Sequence, residues 1–436
     1  MIIDRRTLLA AGAAAAAAPA IGQGNSGQSR SFPANFLWGA STAGHQVEGN
    51  NVSSDQWLLE TVKPTLASVP SGDADNSLEL WPTDLDLVKS IGLNAYRFSI
   101  EWPRIEPEPG MFSVAMLDHY KSMVEGCRAR GLTPVVTFCH FTAPRWFAAQ
   151  GGFLNPQAPG LFARYCDRVM KHLGAGIGYA ATFNEPNIAI MLGSILPPQF
   201  IDGLRANLAA AERATGSKKF VVGNTILPED APAATSGMIA AHKAARQVIK
   251  GARPDLPVGF TLSMFDDQAA GKGSIRDAKR SELYGRWLEV AKGDDWMGVQ
   301  NYERKVWGAA GALPPPTGAR LNHRGSEVYP PSLAGAVRYA HAATGKPIFV
   351  TEHGVGTSDD SLRAWLIPEA LRDLRKAITD GVPVIGYMHW SLLDNYEWGV
   401  GFEGPFGLVA VDRATFRRTP KPSAAIYGAI ARKNSL

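Results

Sequence analysis

The sequence predicts a single-domain (β/α)₈ barrel, and two features of its hydrophobic pattern carry that prediction. Eight short apolar segments recur along the chain, each bounded by polar or turn residues. Near-continuous apolar runs of this kind are typical of strands buried on both faces of a parallel sheet. Helical patterns alternate with them, which favours a closed barrel with its helices outside. The length of 436 residues suits one such barrel with insertions.

The predicted strands are 36–42, 94–100, 134–140, 179–185, 257–264, 296–302, 347–353 and 383–390. The clearest helical patterns are 84–92, 117–131, 159–174, 236–251 and 368–381. The last four of these helical patterns end at a glycine, which is a common helix stop. Three long stretches are too polar or too rich in proline and glycine for a core, so we expect loops over 43–83, 186–235 and 303–331. Loops that follow barrel strands shape the site face.

The N-terminal stretch predicts export. Paired arginines, Arg5 and Arg6, precede an alanine-rich apolar run that ends in Ala18-Pro19-Ala20, the pattern of a twin-arginine signal peptide. We therefore expect a signal over 1–20, a flexible leader over 21–31, the catalytic barrel over 32–436, and a periplasmic location. An unprocessed tail or a helix on a lipid surface are the alternatives. The apolar run is too short to span a bilayer, so no membrane span is expected after signal removal.

Charge and cysteine usage exclude several classes of function. The formal net charge is +4 without a dense Lys/Arg run, which argues against nucleic acid or an anionic membrane as the partner. Cys127, Cys139 and Cys166 are odd in number and form no CxxC motif, which argues against a disulfide framework or a zinc site. Export would expose thiols to oxidising conditions, so we expect all three to be buried.

Two carboxylates end strands that face each other across a closed barrel, and barrel active sites lie at the carboxyl ends of the strands. Glu185 ends the fourth predicted strand and Glu352 the seventh. Glycoside hydrolysis needs such a pair, one carboxyl to protonate the leaving oxygen and one to act on the sugar carbon. A separation of roughly 5–5.5 Å between the two carboxyl groups makes that reaction retaining. Either glutamate alone could instead be a loop cap or an ion-pair partner.

Sequence blocks around these residues resemble glycoside hydrolase family 1, the β-glucosidase-type retaining enzymes. The blocks are FLWGASTAGHQVEG, RFSIEWPRI, TFNEPN, VTEHG and HWSLLDNYEWGVGF with FGLVAVD. The similarity extends from about Phe32 to Pro422. It implies a (β/α)₈ fold and a retaining, exo-acting β-glycosidase, most simply a β-glucosidase. The implied partner is a small-molecule β-glycoside, with no metal or organic cofactor.

The resemblance assigns the catalytic roles. Glu185 corresponds to the general acid/base and Glu352 to the nucleophile. Asn184 corresponds to the group that hydrogen-bonds the sugar 2-hydroxyl. Arg97 and Tyr302 are expected to contact Glu352, where a nearby positive charge favours the ionised carboxylate. Glu185 is expected to have the higher pKa, because the Glu352 anion disfavours a second charge.

The resemblance also assigns sugar contacts. Gln46, His140 and Glu397 are expected to hold sugar hydroxyls, with Trp390 as the hydrophobic floor and Trp398 near the outer hydroxyls. The Glu397-Trp398 pair argues for an unphosphorylated sugar, and an intact acid/base glutamate argues for O-glycosides rather than thioglycosides.

Several positions depart from the family pattern. Phe141 replaces a tryptophan, Gln300 replaces an asparagine, and Glu101 adds a carboxylate that we expect near the site mouth. His353 follows the nucleophile where the family has asparagine, and strand alternation turns it away from the sugar. The segment after TFNEPN lacks the family's Gly-Tyr pattern, so we expect a reshaped leaving-group side.

Two rival functions remain open at this point. A transglycosidase would use the same residues, with a sugar or aglycone hydroxyl in place of water. A catalytically inactive sugar-binding protein is the second rival, although such relatives typically lack one catalytic glutamate. The sequence predicts neither the aglycone nor the oligomeric state.

Overall fold

Eight parallel strands close into a barrel in the computed structural model, which describes residues 31–436. The predicted (β/α)₈ fold class is therefore confirmed. The predicted export signal over 1–20 lies outside the described residues, as does all of the predicted leader except its last residue. Both stay predictions.

The strands are β1 Leu37–Ser41, β2 Ala95–Ser99, β3 Thr133–Cys139, β4 Tyr179–Asn184, β5 Val258–Ser263, β6 Asp266–Ala269, β7 Met297–Asn301, β8 Arg304–Trp307, β9 Ile348–His353, β10 Val384–Trp390, β11 Val409–Val411 and β12 Arg418–Pro420. The order around the barrel is β1-β10-β9-β7-β5-β4-β3-β2. Two short pairs lie outside it, β6 with β8 in parallel and β11 with β12 antiparallel. The eight barrel strands fall where the apolar segments predict them, each boundary within one residue.

The α-helices are α1 Gly44–Val47, α2 Asp55–Thr61, α3 Ser77–Ile91, α4 Trp102–Ile105, α5 Val114–Ala129, α6 Arg145–Ala149, α7 Ala158–Leu173, α8 Ile188–Ile195, α9 Pro198–Thr215, α10 Ala231–Ala252, α11 Arg276–Arg280, α12 Arg286–Ala291, α13 Ser332–Thr344, α14 Asp360–Thr379 and α15 Pro422–Lys433. The five predicted helices exist, but α3 and α14 begin well before their predicted starts. Pro82 and Pro368 lie inside these two helices, although proline is disfavoured in a helix interior.

The prediction that the three long stretches are loops is wrong in part. They contain α1 and α2, α8 and α9, and the short strand β8. Leu204 and Leu208 of α9 pack with Leu59 of α2, Phe220 and Val222 in a small apolar cluster beside the barrel. Each of these segments follows a barrel strand, so the extra elements lie at the site face.

Two clusters of buried apolar residues form the hydrophobic core of the barrel. A small one fills the barrel interior, with Ala95, Val135, Ala181, Phe349 and Met388 among its members. A much larger one lies between the strands and the surrounding helices. The three cysteines are buried and free, as expected. Over residues 31–436, no helix combines the length and the apolar character that a membrane crossing requires.

Arg363 of α14 anchors the loop that follows β9. Its guanidinium is fully buried and donates to the carbonyls of Val355 (3.3 Å), Thr357 (3.2 Å) and Pro405 (2.7 Å). It also forms an ion pair with Asp360 at 2.5 Å. One side chain therefore fixes two loops at the mouth of the barrel.

Replacing Arg363 by methionine should lower the free energy of unfolding by about 3 kcal/mol, since three carbonyls lose their donor and an ion pair is broken. The measurement is the urea-unfolding midpoint. Arg372→Met is the matched control on the same helix, because Arg372 is exposed and its pair with Glu369 contributes less than about 1 kcal/mol. Equal shifts in the two variants would contradict this role of Arg363.

Candidate active site

A cavity of about 600 Å³ opens at the carboxyl ends of the barrel strands. Nine of the ten predicted site residues line it, namely Gln46, His140, Asn184, Glu185, Tyr302, Glu352, Trp390, Glu397 and Trp398. The tenth, Arg97, is fully buried and contacts two of the lining residues. The structure thus brings together the ten residues that the sequence predicts as catalytic, supporting or substrate-binding.

Glu352, at the end of β9, is held by one donor on each carboxylate oxygen. Arg97 Nη1 donates to Oε1 at 2.6 Å, and the Tyr302 hydroxyl donates to Oε2 at 2.6 Å. Burial raises the pKa of Glu352, and the Arg97 charge and both hydrogen bonds act in the opposite direction. The carboxylate is fixed in orientation and stabilised in its ionised form by its two partners.

Asn184, at the end of β4, has its amide oriented by its neighbours. Its Oδ1 accepts from Arg97 Nη2 at 2.6 Å and from Gln300 Nε2 at 2.8 Å. Its Nδ2 is buried and has no hydrogen-bond partner within the described part of the chain. Because buried amide donors are normally paired, this NH₂ group is available to a ligand oxygen in the cavity.

Glu185 directly follows Asn184 and has a left-handed backbone with φ of 42°. This conformation is uncommon for a residue with a side chain and is enriched at functional sites. Burial and, secondarily, the Glu352 charge raise the pKa of Glu185 to about 8, while a hydrogen bond with Ser263 acts against this. Two carboxyl groups in one cavity therefore have different surroundings and different proton affinities.

Two further residues, Gln46 and Glu397, present polar groups at the inner end of the cavity. Gln46 donates through Nε2 to the Tyr396 carbonyl at 2.7 Å, which leaves its Oε1 without a partner among the described residues. Glu397 Oε1 accepts from Trp390 Nε1 at 3.3 Å and from Asn395 Nδ2 at 3.1 Å. Burial raises the pKa of Glu397 to about 7.

Aromatic rings form the floor and one side of the cavity. His140 stacks on Trp390, with ring centroids 5.7 Å apart, and burial lowers its pKa well below the usual range, so the ring is neutral. Trp398 stacks on His45 at 5.2 Å and meets the edge of Phe141 at 5.7 Å. His45 in turn bonds Glu60 at 2.8 Å, which fixes the ring under Trp398.

His353 points away from the cavity, behind the nucleophile candidate. It is buried, its Nδ1 is hydrogen-bonded to the Tyr387 hydroxyl at 2.8 Å, and burial lowers its pKa to about 3. A neutral histidine in this position acts as a packing and hydrogen-bonding group of the barrel wall.

The expectation that Glu101 lies near the site mouth is wrong. Glu101 is fully buried and accepts from Asn51 Nδ2 at 2.8 Å, from Ser99 Oγ at 3.1 Å and from Thr142. Two of these three polar neighbours, Asn51 and Thr142, come from distant loops and cannot be read from the RFSIEWPRI block. The carboxyl group therefore belongs to the interior behind the cavity.

Sequence reasoning missed two contributors. In the sequence, Gln300 is only a departure from the family pattern, yet it orients Asn184 and lines the cavity. Ser263 ends β5 and bonds Glu185, and its place one residue before the end of the predicted strand 257–264 is the signal that could have identified it. Among residues 31–436, no group of three or more His, Cys, Asp or Glu side chains is arranged to hold a metal ion.

The chain matches known proteins over nearly its whole length. The profile of Glycosyl hydrolase family 1 matches residues 28–225 and 320–436. A beta-glucosidase of Agrobacterium sp. (strain ATCC 21400) is 29% identical, over 92% of this chain and 95% of the relative. A beta-galactosidase of Pyrococcus woesei is 27% identical, over 93% and 98%.

A solved structure is closer still. The apo structure of a beta-glucosidase, named 1317, is 43% identical with a TM-score of 0.88, covering 91% of this chain and 98% of that one. These matches include both carboxylate-bearing blocks, since Glu185 and Glu352 lie within the residues that the family profile covers. The chain therefore belongs to glycosyl hydrolase family 1 and is a β-glycosidase.

Proposed function

We propose that this enzyme is a retaining, exo-acting β-glycosidase that hydrolyses unphosphorylated β-O-glycosides, with β-glucosides as its preferred substrates. The observation that carries the proposal is the pair of buried carboxyl groups with unequal surroundings. Glu352 has an arginine and a tyrosine on its two oxygens, whereas burial and the Glu352 charge raise the pKa of Glu185 to about 8. Such a split in proton affinity assigns the two roles of glycoside hydrolysis.

In the first step, ionised Glu352 attacks the anomeric carbon and protonated Glu185 gives its proton to the departing oxygen. The C–O bond to the leaving group breaks as the Glu352 ester bond to the sugar forms. Arg97 and Tyr302 hold the attacking oxygens in place, so little reorganisation is needed.

In the second step, Glu185 is ionised and takes a proton from an incoming water, which attacks the anomeric carbon and releases Glu352. Two inversions give net retention. Loss of the Glu352 charge in the ester intermediate removes one cause of the raised Glu185 pKa, which favours its new role as base.

Sugar recognition is proposed at the polar atoms of the inner end. Asn184 Nδ2 is oriented to donate to the 2-hydroxyl, and Gln46 Oε1 is free to accept from another hydroxyl. Trp390 supplies the apolar surface against a sugar face, and Glu397 and Trp398 face the outer hydroxyls. The beta-glucosidase and beta-galactosidase relatives support a hexopyranoside in this position.

Glu352→Ala should lower kcat/KM for an aryl β-glucoside on the order of 10⁴-fold or more, since the nucleophile is lost. Added azide should restore turnover and give the α-glycosyl azide, because azide then attacks from the face that Glu352 occupied. The product anomer is read by proton NMR.

The matched control is Glu185→Ala, in which azide should give the β-glycosyl azide by attacking the glycosyl-enzyme from the opposite face. The same anomer from both variants, or a fully active Glu352→Ala enzyme, would contradict the assignment. Wild-type hydrolysis that first yields the α-anomer of the sugar would contradict retention.

The pH profile of kcat/KM should fall above about pH 8, where Glu185 loses the proton that it must donate. Tyr302→Phe should move the acidic limb upward by about one pH unit, because a hydrogen bond to the ionised carboxylate lowers the pKa of Glu352 and its loss raises that pKa. The alkaline limb belongs to Glu185. A Tyr302→Phe profile that shifts only at the alkaline limb would refute this division of roles.

His353→Asn should leave a largely active enzyme, with kcat/KM within about tenfold of the wild type, since His353 contacts Tyr387 behind the site rather than the cavity. Steady-state kinetics on an aryl β-glucoside measures this. A loss as deep as that of Glu352→Ala would show that His353 takes part directly.

A further inference from the structure

The cavity has two chemically different ends. At the inner end, Gln46 Oε1, Asn184 Nδ2 and Gln300 Oε1 are buried without a hydrogen-bond partner among the described residues. Buried polar atoms are normally paired, so these atoms mark where a ligand must supply hydroxyl groups. The sugar of the proposed reaction belongs at this end, next to Glu185 and Glu352.

The outer end has a long apolar wall. Ile188, Met191 and Leu192 of α8 line the cavity, and their spacing of three and four residues places them on one helix face. Leu196 and Phe200 continue the wall into α9. Met191 is buried, but the other four side chains are only partly covered by protein. They lose further apolar surface only when a ligand covers them.

Aromatic side chains complete this outer end. Phe141 and Phe265 line the cavity together with Trp398 and Phe406. Phe141 and Trp398 meet edge to face at 5.7 Å, so their rings are held in place. The site therefore offers an apolar channel that continues outward from the leaving-group side of the two carboxyl groups.

Several polar atoms along this wall are already paired. Gln56 Nε2 donates to Asn224 Oδ1 at 2.8 Å, and Thr225 Oγ1 donates to the same oxygen at 3.2 Å. Asn207 Nδ2 donates to the carbonyls of Leu59 and Pro64, at 3.1 and 2.8 Å. A second sugar placed here would bury several hydroxyls against a largely apolar wall where the amide donors of Gln56 and Asn207 already have partners, which is costly.

Other polar groups of the outer end stand at the rim. Arg324 is exposed, and its Nε donates to His323 Nε2 at 3.3 Å. Asn322 Oδ1 accepts from the backbone N–H groups of Arg324 and Ser326, at 2.9 and 3.0 Å. This rim faces solvent, where hydrophilic substituents of a leaving group remain hydrated.

We infer that the outer end binds an apolar leaving group, so that the substrate is a β-glycoside of a hydrophobic alcohol or phenol rather than a disaccharide or a longer glucan. This inference rests on the proposed function and adds the class of the leaving group. Its driving force is burial of the partly exposed side chains of α8 and α9 against the aglycone.

A homologous series of alkyl β-glucosides tests the inference, with methyl, butyl, hexyl and octyl glycosides below their micelle concentrations and cellobiose beside them. The leaving alcohols of the longer members differ little in acidity, so burial dominates any trend. We expect kcat/KM to rise about two- to fourfold per methylene from butyl to octyl. Cellobiose should be at least about tenfold poorer than the octyl glucoside.

Leu192→Asn tests where the alkyl chain of the substrate is bound, because it places an amide side chain of nearly the same size on the apolar wall. The octyl-to-methyl ratio of kcat/KM should fall about tenfold in this variant. Gln199→Ala is the control, since Gln199 is exposed on the first turn of α9 and does not line the cavity. Its ratio should equal that of the wild type.

The possible outcomes separate this inference from the proposed function. A flat chain-length series, or cellobiose as the better substrate, would overturn the apolar leaving group while leaving a working β-glycosidase. No hydrolysis of any member, aryl glucosides included, would overturn the proposed function itself. A rising series with an unchanged ratio in Leu192→Asn would show that the chain is bound elsewhere, and the inference would then be wrong about this wall. The wild-type series decides the class of leaving group even if the variant does not fold.

Discussion

The buried guanidinium of Arg97 is the interaction on which the site depends. It extends from β2 into the barrel and donates to Thr137 on β3 at 3.1 Å, to Asn184 on β4 and to Glu352 on β9. An arginine suits this place because its donors form a rigid planar fork and its charge persists at any working pH. A buried charge is tolerated only when it is paired and hydrogen-bonded, so the carboxylate and the two oxygens are required partners. The Arg97 guanidinium therefore links four barrel strands, β2, β3, β4 and β9, through its own contacts.

This single charge makes two chemically similar glutamates behave differently. Glu352 touches the guanidinium, whereas Glu185 lies against Ser263 and is exposed to the field of the Glu352 anion. Desolvation acts on both carboxyl groups in the same direction, so burial alone would not separate them. The difference in proton affinity between Glu185 and Glu352 comes from their contacts with neighbouring side chains at the strand ends. The barrel holds these contacts in place before substrate binds. Preorganisation of this kind is what lowers the cost of charge movement during reaction.

The barrel was predictable because its signals are local. Apolar runs bounded by polar residues gave each strand within one residue, and a parallel barrel turns strand ends into a common face. The helices were harder at their starts, since Pro82 and Pro368 lie inside helices that tertiary packing sustains. The extra helix α9 is not predictable from a local pattern, because it packs in an apolar cluster with Leu59, more than a hundred residues away in the chain.

The sequence predicts which residues form the site, but it does not predict which of them hydrogen-bond to each other. The strand-end rule and the sequence blocks predict nine of the residues that line the cavity, yet neither shows that Gln300 orients Asn184. Glu101 is the opposite case, a residue that the sequence places near the site and the structure places behind it. Its partners Asn51 and Thr142 come from separate loops, so its burial depends on contacts that no local pattern encodes.

The profile of the family leaves residues 226–319 unmatched, although this stretch supplies β5 and β7 to the closed barrel. It also supplies Ser263, Gln300 and Tyr302, which touch Glu185, Asn184 and Glu352. A closed barrel explains how an unmatched stretch can still supply site residues. Hydrogen bonding to the neighbouring strands fixes the position at which β5 and β7 end. The helices and turns between these strands can then differ in sequence, provided that the side chains at the strand ends still contact Glu185, Asn184 and Glu352. In this chain, a departure from the family profile over one arc of the barrel is therefore compatible with a complete set of contacts around Glu185 and Glu352.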